Sequence, residues 1–495
     1  MKPIKNFAER LRDILSEKHL SASELSRKMQ FNSRNSLFRI LNNEASYEKQ
    51  KDFLQKLKAA EVLELSPREW DELEDGLEVS RVGVDGYVSN LAMKELVIYS
   101  NALGDPIRMI SHMAGTDQEG EFVECFRKVF KGEKTELLIV GCCDLGLFKI
   151  IEQLIMEAHQ ANKEVEITHY IEASGVELVH VIASIQPVIF ADCYQAYMLE
   201  DKVMTDEIRA LYRCNMMLAS YIDEQGCQHF LHFMMSDYGC IHGCEYKDKV
   251  FYSYLKSVLT EHSGQMVPIK AAFMQPVSPE DYLWYTEQYG ELEKDSNLYD
   301  IKGDVPINYI HPDILLGPVR EGFKESGFGQ DEMQEQLIAK LYEIQYQRWQ
   351  NFFEKRKVTH TIFTYESMRK FALTGLQSDH FFAMRPYTKH ERKEILRFLK
   401  EQTSKNPYFT IYFFKQGLEP AQNEIGIYEG KGVLLTKAHT DYKLDDGHAE
   451  ALITQSEFCL RFKEYFLKQL LVHNVTSAKE TLAIMDELIN LCDKG

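Results

Sequence analysis

Three places in the sequence gather side chains able to do chemistry. Cys240-Ile-His242-Gly-Cys244, with Cys227, His229 and His232 just before it, puts six sulfur or imidazole groups within 18 residues. Such a set could supply a tetrahedral zinc site. C-x-H-x-C is not a standard structural-zinc spacing, however, and on a strand His229 and His232 would point to opposite faces. Buried thiols and a loop histidine are the plainer reading, with Cys240, His242 and Cys244 as weak metal candidates. The second place is Gly141-Cys142-Cys143-Asp144-Leu145-Gly146, a loop between an apolar run and a helical pattern. Backbone N–H groups in such a loop can hold an anion. Its two glycines have the outer spacing of a Walker A pair, but Leu147-Phe148 stands where Lys-Ser/Thr is required, which excludes a nucleotide triphosphatase. Cys142, Cys143 and Asp144 remain weak ligand-binding candidates. The third place is Ser33-Arg34-Asn35-Ser36 with Arg39. Arg pairs bidentately with guanine, Asn with adenine, and Ser with bases or phosphate.

Elements must position these groups, and the first 65 residues show theirs clearly. Phe7, Leu11, Ile14 and Leu15 recur at helical spacing, so residues 6–18 form a first helix. Ser21-Ala-Ser-Glu24 is a capping box that opens a second, short helix with Leu25 and Met29 one turn apart. Asn32-Ser33 caps a third, with Leu37, Ile40 and Leu41 turned inward. A fourth runs over residues 46–60 on Phe53, Leu54 and Leu57. Ser66-Pro67-Arg68-Glu69 starts a fifth.

Two short helices joined by a tight turn, inside a five-helix unit, make a helix-turn-helix layout. The segment LSASELSRKMQFNSRNSLFRILNN resembles the phage-repressor-like (Cro/C1, XRE-type) family of bacterial transcriptional regulators. Residues 21–29 match the positioning helix and 32–41 the recognition helix. The turn is one residue longer than the family norm, and Gln30 stands near the usual glycine. The resemblance covers about residues 1–80. It implies binding of double-stranded DNA through Arg27, Lys28, Asn32, Ser33, Arg34, Asn35, Ser36 and Arg39. It also implies a homodimer, because one short recognition helix reads few base pairs.

Charge points the same way. The chain carries 57 Lys and Arg against 76 Asp and Glu, a net of −19. Residues 1–60 hold 13 basic and 7 acidic side chains, so a basic head precedes a strongly acidic remainder. That asymmetry is expected if only the head meets a polyanion.

At 495 residues, 44% hydrophobic and 27% charged, the composition is that of a folded multidomain chain and excludes collagen-like, mucin-like and disordered classes. The first 15 residues lack the apolar core of a secretory signal, and no run approaches the ~20 apolar residues of a membrane span. Ten cysteines in that setting are expected to be free thiols of a cytoplasmic protein without a membrane partner.

The body past residue 134 alternates. Residues 136–140 are a buried strand, 147–161 a helix and 165–170 a second strand, a βαβ unit with a parallel sheet. A helix over 177–185 follows, and Pro187 is expected to open a strand. Residues 214–222 and 228–235 flank a hairpin at Asp223–Gly226. Residues 278–356 are aromatic-rich and expected to be largely helical. Strands then fall at 359–364, 408–414, 425–428, 433–436 and 449–453, with two closing helices. The expected fold is α+β or α/β and multidomain. An all-α helix-turn-helix domain (1–65) leads through a helical linker or dimerisation segment (66–134) into a mixed α/β body. That body comprises a sensor-like domain (135–275), a helical segment (276–357) and a second α/β region (358–495). The strand-then-helix ending resembles phospholipase-D-like sensor domains. The H-x-K pair of that superfamily occurs nowhere, so the resemblance implies binding rather than hydrolysis.

No G-x-S-x-G, H-E-x-x-H or Walker A motif is present, and no repeat of 20–50 residues is visible. His169, His180 and Glu172 could approach one another, but scattered polar groups in α/β proteins are usually bonded structurally. The reading is a DNA-binding transcriptional regulator, not an enzyme, with no cofactor and a body that senses a small-molecule or peptide effector. The alternatives are a metal- or small-molecule-dependent enzyme carrying a regulatory head, and a protein-interaction module using the helical head. A pocket is expected at the carboxyl ends of strands, by the Gly141–Gly146 loop or its counterpart in the second α/β region.

Overall fold

The computed structural model describes residues 4–29, 34–60, 62–63, 65–97, 126–141, 145–172, 176–199, 212, 215–235, 241–246, 249–261, 263–271, 279–303, 305–326, 331–377, 385–418, 423–437 and 449–494. The chain divides into two compact units, Met1–Ala92 and Met93–Gly495.

The first unit is helical: α1 (Phe7–Glu17), α2 (Ala22–Lys28), α3 (Arg34–Leu41), α4 (Tyr47–Ala60) and α5 (Pro67–Val97). Its starts are set by side chains that satisfy otherwise orphaned backbone N–H groups. Asn6 and Glu9 form one capping box, and Ser21 and Glu24 a second. Ser66 and Glu69 repeat the pattern at α5. Phe7, Leu11, Ile14, Leu25, Leu37, Ile40, Phe53, Leu54 and Leu57 meet in one core. Gly83, at φ +77°, breaks α5 into two helical stretches, a conformation that glycine adopts without penalty.

The second unit is a mixed α/β body built on two seven-stranded sheets. In the first sheet β1 (Lys134–Val140), β2 (Glu164–Ile171) and β3 (Tyr194–Leu199) run parallel. The helices α6 (Leu145–Gln160) and α7 (Val176–Ile185) connect them. An antiparallel meander of β4 (Met216–Ile222), β5 (Gln228–Met235) and β6 (Ile241–Tyr246) then adds to β1. The expected hairpin at Asp223–Gly226 joins β4 to β5, with Gly226 at φ +79°. The strand expected to open at Pro187 begins instead at Tyr194. Val188–Ala191 is held as a turn by backbone bonds back to Ile185 and Val188. The helix α8 (Lys249–Thr260) packs on β5 and β6.

The second sheet repeats this plan. β9 (Leu298–Lys302), β10 (Thr359–Phe363) and β11 (Phe409–Phe413) are parallel. A meander of β12 (Asn423–Tyr428), β13 (Gly432–Lys437) and β14 (Ala449–Ile453) adds antiparallel to β9. Two short strands finish the edges: β7 (Met266–Pro268) pairs with β3 and β8 (Lys270–Ala271) with β14. Six strands of each sheet thus share one topology, a repeat far longer than any the sequence displays, while the seventh strand joins at opposite ends.

β9 lies inside the stretch expected to be helical. That stretch does hold α9 (Pro279–Glu293), α10 (Pro312–Ser326) and α11 (Asp331–Phe353), with a 3₁₀ turn at Ile307–Tyr309. The strand escaped notice because it is five residues long and carries Asp300 and Lys302, which break the apolar run that marks a buried strand. It alternates cleanly all the same. Tyr299 and Ile301 face one side, where Tyr299 packs on Phe466. Leu298, Asp300 and Lys302 face the other. There α9, the 3₁₀ turn and α11 pack against one another over the sheet.

Candidate functional site

The register of the second sheet lines up polar side chains across four strands. Glu424 on β12 pairs with Thr436 on β13, and Thr436 with Glu450 on β14. Ile425 pairs with Ile301, which brings Lys302 beside Glu424 at the carboxyl end of β9. The Lys302 Nζ donates to Glu424 Oε2 at 2.8 Å, and the Gly303 N–H to Glu424 Oε1 at 2.9 Å. One residue pair further in, Asp300 lies opposite Gly426. A side chain at Gly426 would press on the Tyr428 ring at 3.0 Å, so glycine keeps this level of the floor open.

The covering elements add more charge. Glu293, at the end of α9, receives both arms of Arg348 from α11, Nε at 2.8 Å and Nη2 at 2.6 Å. Both side chains are almost fully buried. Asn308 in the 3₁₀ turn donates its amide to Glu293 Oε1 at 2.9 Å. Tyr285 and Tyr289, one turn apart on α9, both donate to Glu450 Oε1, the former at 2.7 Å. Tyr309 shares a 2.7 Å hydroxyl bond with Thr361 of β10 and donates to Asp300 Oδ2 at 3.2 Å.

Together these groups enclose a cavity of about 50 Å³ lined by Thr286, Tyr289, Asp300, Lys302, Asn308, Arg348, Glu424 and Glu450, among others. That is room for about three or four water molecules. It suits a small polar molecule or head group and is too small for a nucleotide. Asp300 is 1% exposed, and its Oδ1 has no hydrogen-bond partner. Burial pushes its carboxyl up to about 7, against the opposing pull of Lys302. A buried carboxyl with one unbonded oxygen, lining a cavity and poised near neutrality, can take or give a proton at physiological pH. Burial also raises Tyr309 and Tyr289 well above the ordinary phenol range, so both stay hydrogen-bond donors.

The residues singled out by sequence lie elsewhere. Arg27 and Lys28 are exposed in the last turn of α2, and Asn35, Ser36 and Arg39 on α3; Arg34 heads that helix. Phe38, on α3 beside them, is 47% exposed. Asn32 and Ser33 lie outside the described residues, as do Cys142, Cys143, Asp144 and Cys240. His242 and Cys244 sit on β6, two apart, opposite Met234 and His232 of β5. His229 is held instead between two carboxylates, Asp223 Oδ2 and Glu245 Oε1, each at 2.9 Å, which raises its pKa. Among the described residues no group of three or more His, Cys, Asp or Glu side chains forms a metal site. His169 is fully buried, with Nδ1 bonded to the Tyr194 hydroxyl at 2.7 Å, and burial lowers it to about 3. His180 is exposed on α7, so this pair forms no site. The sequence signal for the candidate site was Asp-x-Lys-Gly at the end of the short segment Leu298–Lys302.

No family model matches this chain, and no curated protein does. Among solved structures, phosphatidylserine synthase from Haemophilus influenzae Rd KW20 aligns at 9% identity over 83% of this chain and 98% of that one, with a TM-score of 0.25. At that score the likeness assigns neither fold nor substrate. That protein is by its name an enzyme and not a transcription regulator. The expectation of a non-enzymatic, DNA-binding XRE-type regulator is accordingly withdrawn. Residues 27–39 keep their place on the head without that assignment. Among the described residues no helix is long and apolar enough to cross a membrane.

Proposed function

We propose that the α/β body is a small-molecule-dependent enzyme that moves a proton on a small polar substrate held over β9. Asp300 is the proton-transfer group. Lys302 with Glu424, and Arg348 with Glu293, fix the walls around it. The helical head, with its α2–α3 pair in the proposed helix-turn-helix layout, is a regulatory module carried by that enzyme. One observation supports this reading above the others: a nearly inaccessible carboxyl that lines the cavity keeps one oxygen without a hydrogen-bond partner in the protein. A purely structural aspartate at such a depth would be expected to have both oxygens satisfied.

The test is metabolite profiling in D₂O. A mixture of small polar metabolites is incubated with the full chain and with Asp300→Asn, and mass spectrometry follows products and deuterium uptake. Turnover or exchange by the native chain, reduced at least about 100-fold in the variant, is the expected result. No turnover by the native chain, or equal turnover by both, would overturn the reading.

A further inference from the structure

The cavity differs in kind from an anion site. Its two cations are each held by a carboxylate: Lys302 by Glu424 and Arg348 by Glu293. Four carboxyl groups, Glu293, Asp300, Glu424 and Glu450, stand against those two cations. Three residues here each keep a buried atom without a partner that is able to accept: Asp300 Oδ1, Asn308 Oδ1 and Thr286 Oγ1. All three residues line the same cavity. The orientation of the Asn308 amide follows from its bond to Glu293, a carboxylate that can only accept, so Oδ1 is the atom left over.

We infer that the substrate is a small molecule carrying a primary ammonium group, held by Asp300, Asn308 and Thr286. This rests on reading the cavity as a small-molecule site. A primary ammonium offers three N–H donors and no acceptor, which matches three acceptors wanting donors. Its charge offsets the carboxylate excess. A carboxylate, phosphate or sulfate would meet acceptors and paired cations. A quaternary ammonium would carry the charge but no donor. The cavity volume limits the ammonium-bearing part to a few heavy atoms.

Asp300 makes the binding depend on pH. The charged and titratable groups around it are Lys302 on its own strand, Glu424 and Tyr428 from β12, Glu450 from β14 and Tyr309 from the 3₁₀ turn. Glu293, Tyr285 and Tyr289 come from α9, and Arg348 from α11. Cation binding favours the ionised Asp300, so affinity rises with pH until that carboxyl is ionised in the free protein.

The experiment titrates the full chain by calorimetry with methylammonium, ethanolammonium, tetramethylammonium, acetate and acetamide at pH 5 to 9. Saturable binding of the two primary ammonium ions is expected, strengthening by up to about tenfold per pH unit below 7 and levelling above it. Tetramethylammonium and acetate should not bind. Asp300→Asn should lose the pH dependence and at least about tenfold in affinity at pH 8. If that variant fails to fold, the pH profile of the native chain decides. Binding of acetate or acetamide without the ammonium ions would overturn the substrate class and leave the small-molecule site standing. No binding of any probe would overturn the substrate class too, and, joined to absent turnover in the profiling experiment, would remove the enzyme reading as well.

Discussion

Replacing Asp300 by Asn should stabilise the body at alkaline pH and do little for it in acid. The carboxyl has an ordinary value of 3.8 and lies near 7 in the fold, mainly because burial penalises its charge. Its folded value is raised, so between those limits the native state holds a proton that the unfolded chain has given up. Stability therefore falls as pH rises from about 4 to about 7 and is level above. Three units at about 1.36 kcal/mol each amount to about 4 kcal/mol in all, of which about 3 falls between pH 5 and pH 8. The native chain alone will not show this. His169 is buried neutral, its value lowered from 6.5 to about 3 by burial. That stability is present above 6.5 and is lost as pH falls, worth about 2 kcal/mol between pH 8 and pH 5. The two slopes are opposed and nearly cancel. The informative quantity is the difference between variant and native chain, in which His169 drops out. Denaturant unfolding in a Trp70→Phe background, where fluorescence comes from Trp284 and Trp349 of the body, measures it. The variant should gain about 3 kcal/mol on the native chain between pH 5 and pH 8. A difference constant to about 0.5 kcal/mol over that range would refute the raised carboxyl, and with it the basis for proton transfer.

Arg348→Leu leaves Glu293 buried without its bidentate partner, so unfolding of the body should cost about 3–5 kcal/mol less; adding Glu293→Leu should restore much of the loss in the same denaturation assay. Gly375 closes α12 (Tyr365–Thr374) at φ +68°, and a Cβ there would stand 2.2 Å from the Tyr387 carbonyl oxygen. Gly375→Ala should accordingly cost about 2 kcal/mol or more, read as a lower melting temperature. Ser21→Ala removes the acceptor that caps α2 and should lower stability of the head alone by about 1 kcal/mol, reported by Trp70 fluorescence.

The head was the most legible part because its signals are local. Capping boxes at Ser21 and Ser66, and apolar spacing through Phe7, Leu11 and Ile14, act over three to seven residues and need no partner to be recognised. Strands of the second sheet were legible for a similar reason. Residues 359–363, 409–413 and 432–437 are short runs rich in β-branched, aromatic or aliphatic residues, and Gly430, at φ +77°, marks the β12–β13 hairpin. β9 was hidden by its charges. Asp300 and Lys302 read as surface residues when no sheet is drawn around them. The same polarity that defeats the strand signal builds the cavity floor.

The doubled architecture explains why the site itself could not be read along the chain. Its groups come from Glu293, Asp300, Lys302, Asn308, Arg348, Glu424, Thr436 and Glu450, spread over more than 150 residues and seven elements. They meet because β12 returns to β9 rather than to its neighbour in sequence, β11. The first half uses the same connection, with β4 returning to β1. There the corresponding positions are apolar: Leu138 faces Leu218 and Val140 faces Met216, and these residues fill a core with Tyr170 and Tyr212. One plan thus carries two contents where the first strand meets the returning one, apolar pairs on β1 and β4 and charged ones on β9 and β12. Packing stability does not require the second content, since buried ion pairs add little over apolar residues of the same shape. The contrast between these positions is a second structural reason to place the proposed chemistry at β9, where the sequence had offered only the Gly141–Gly146 loop or its counterpart in the second α/β region.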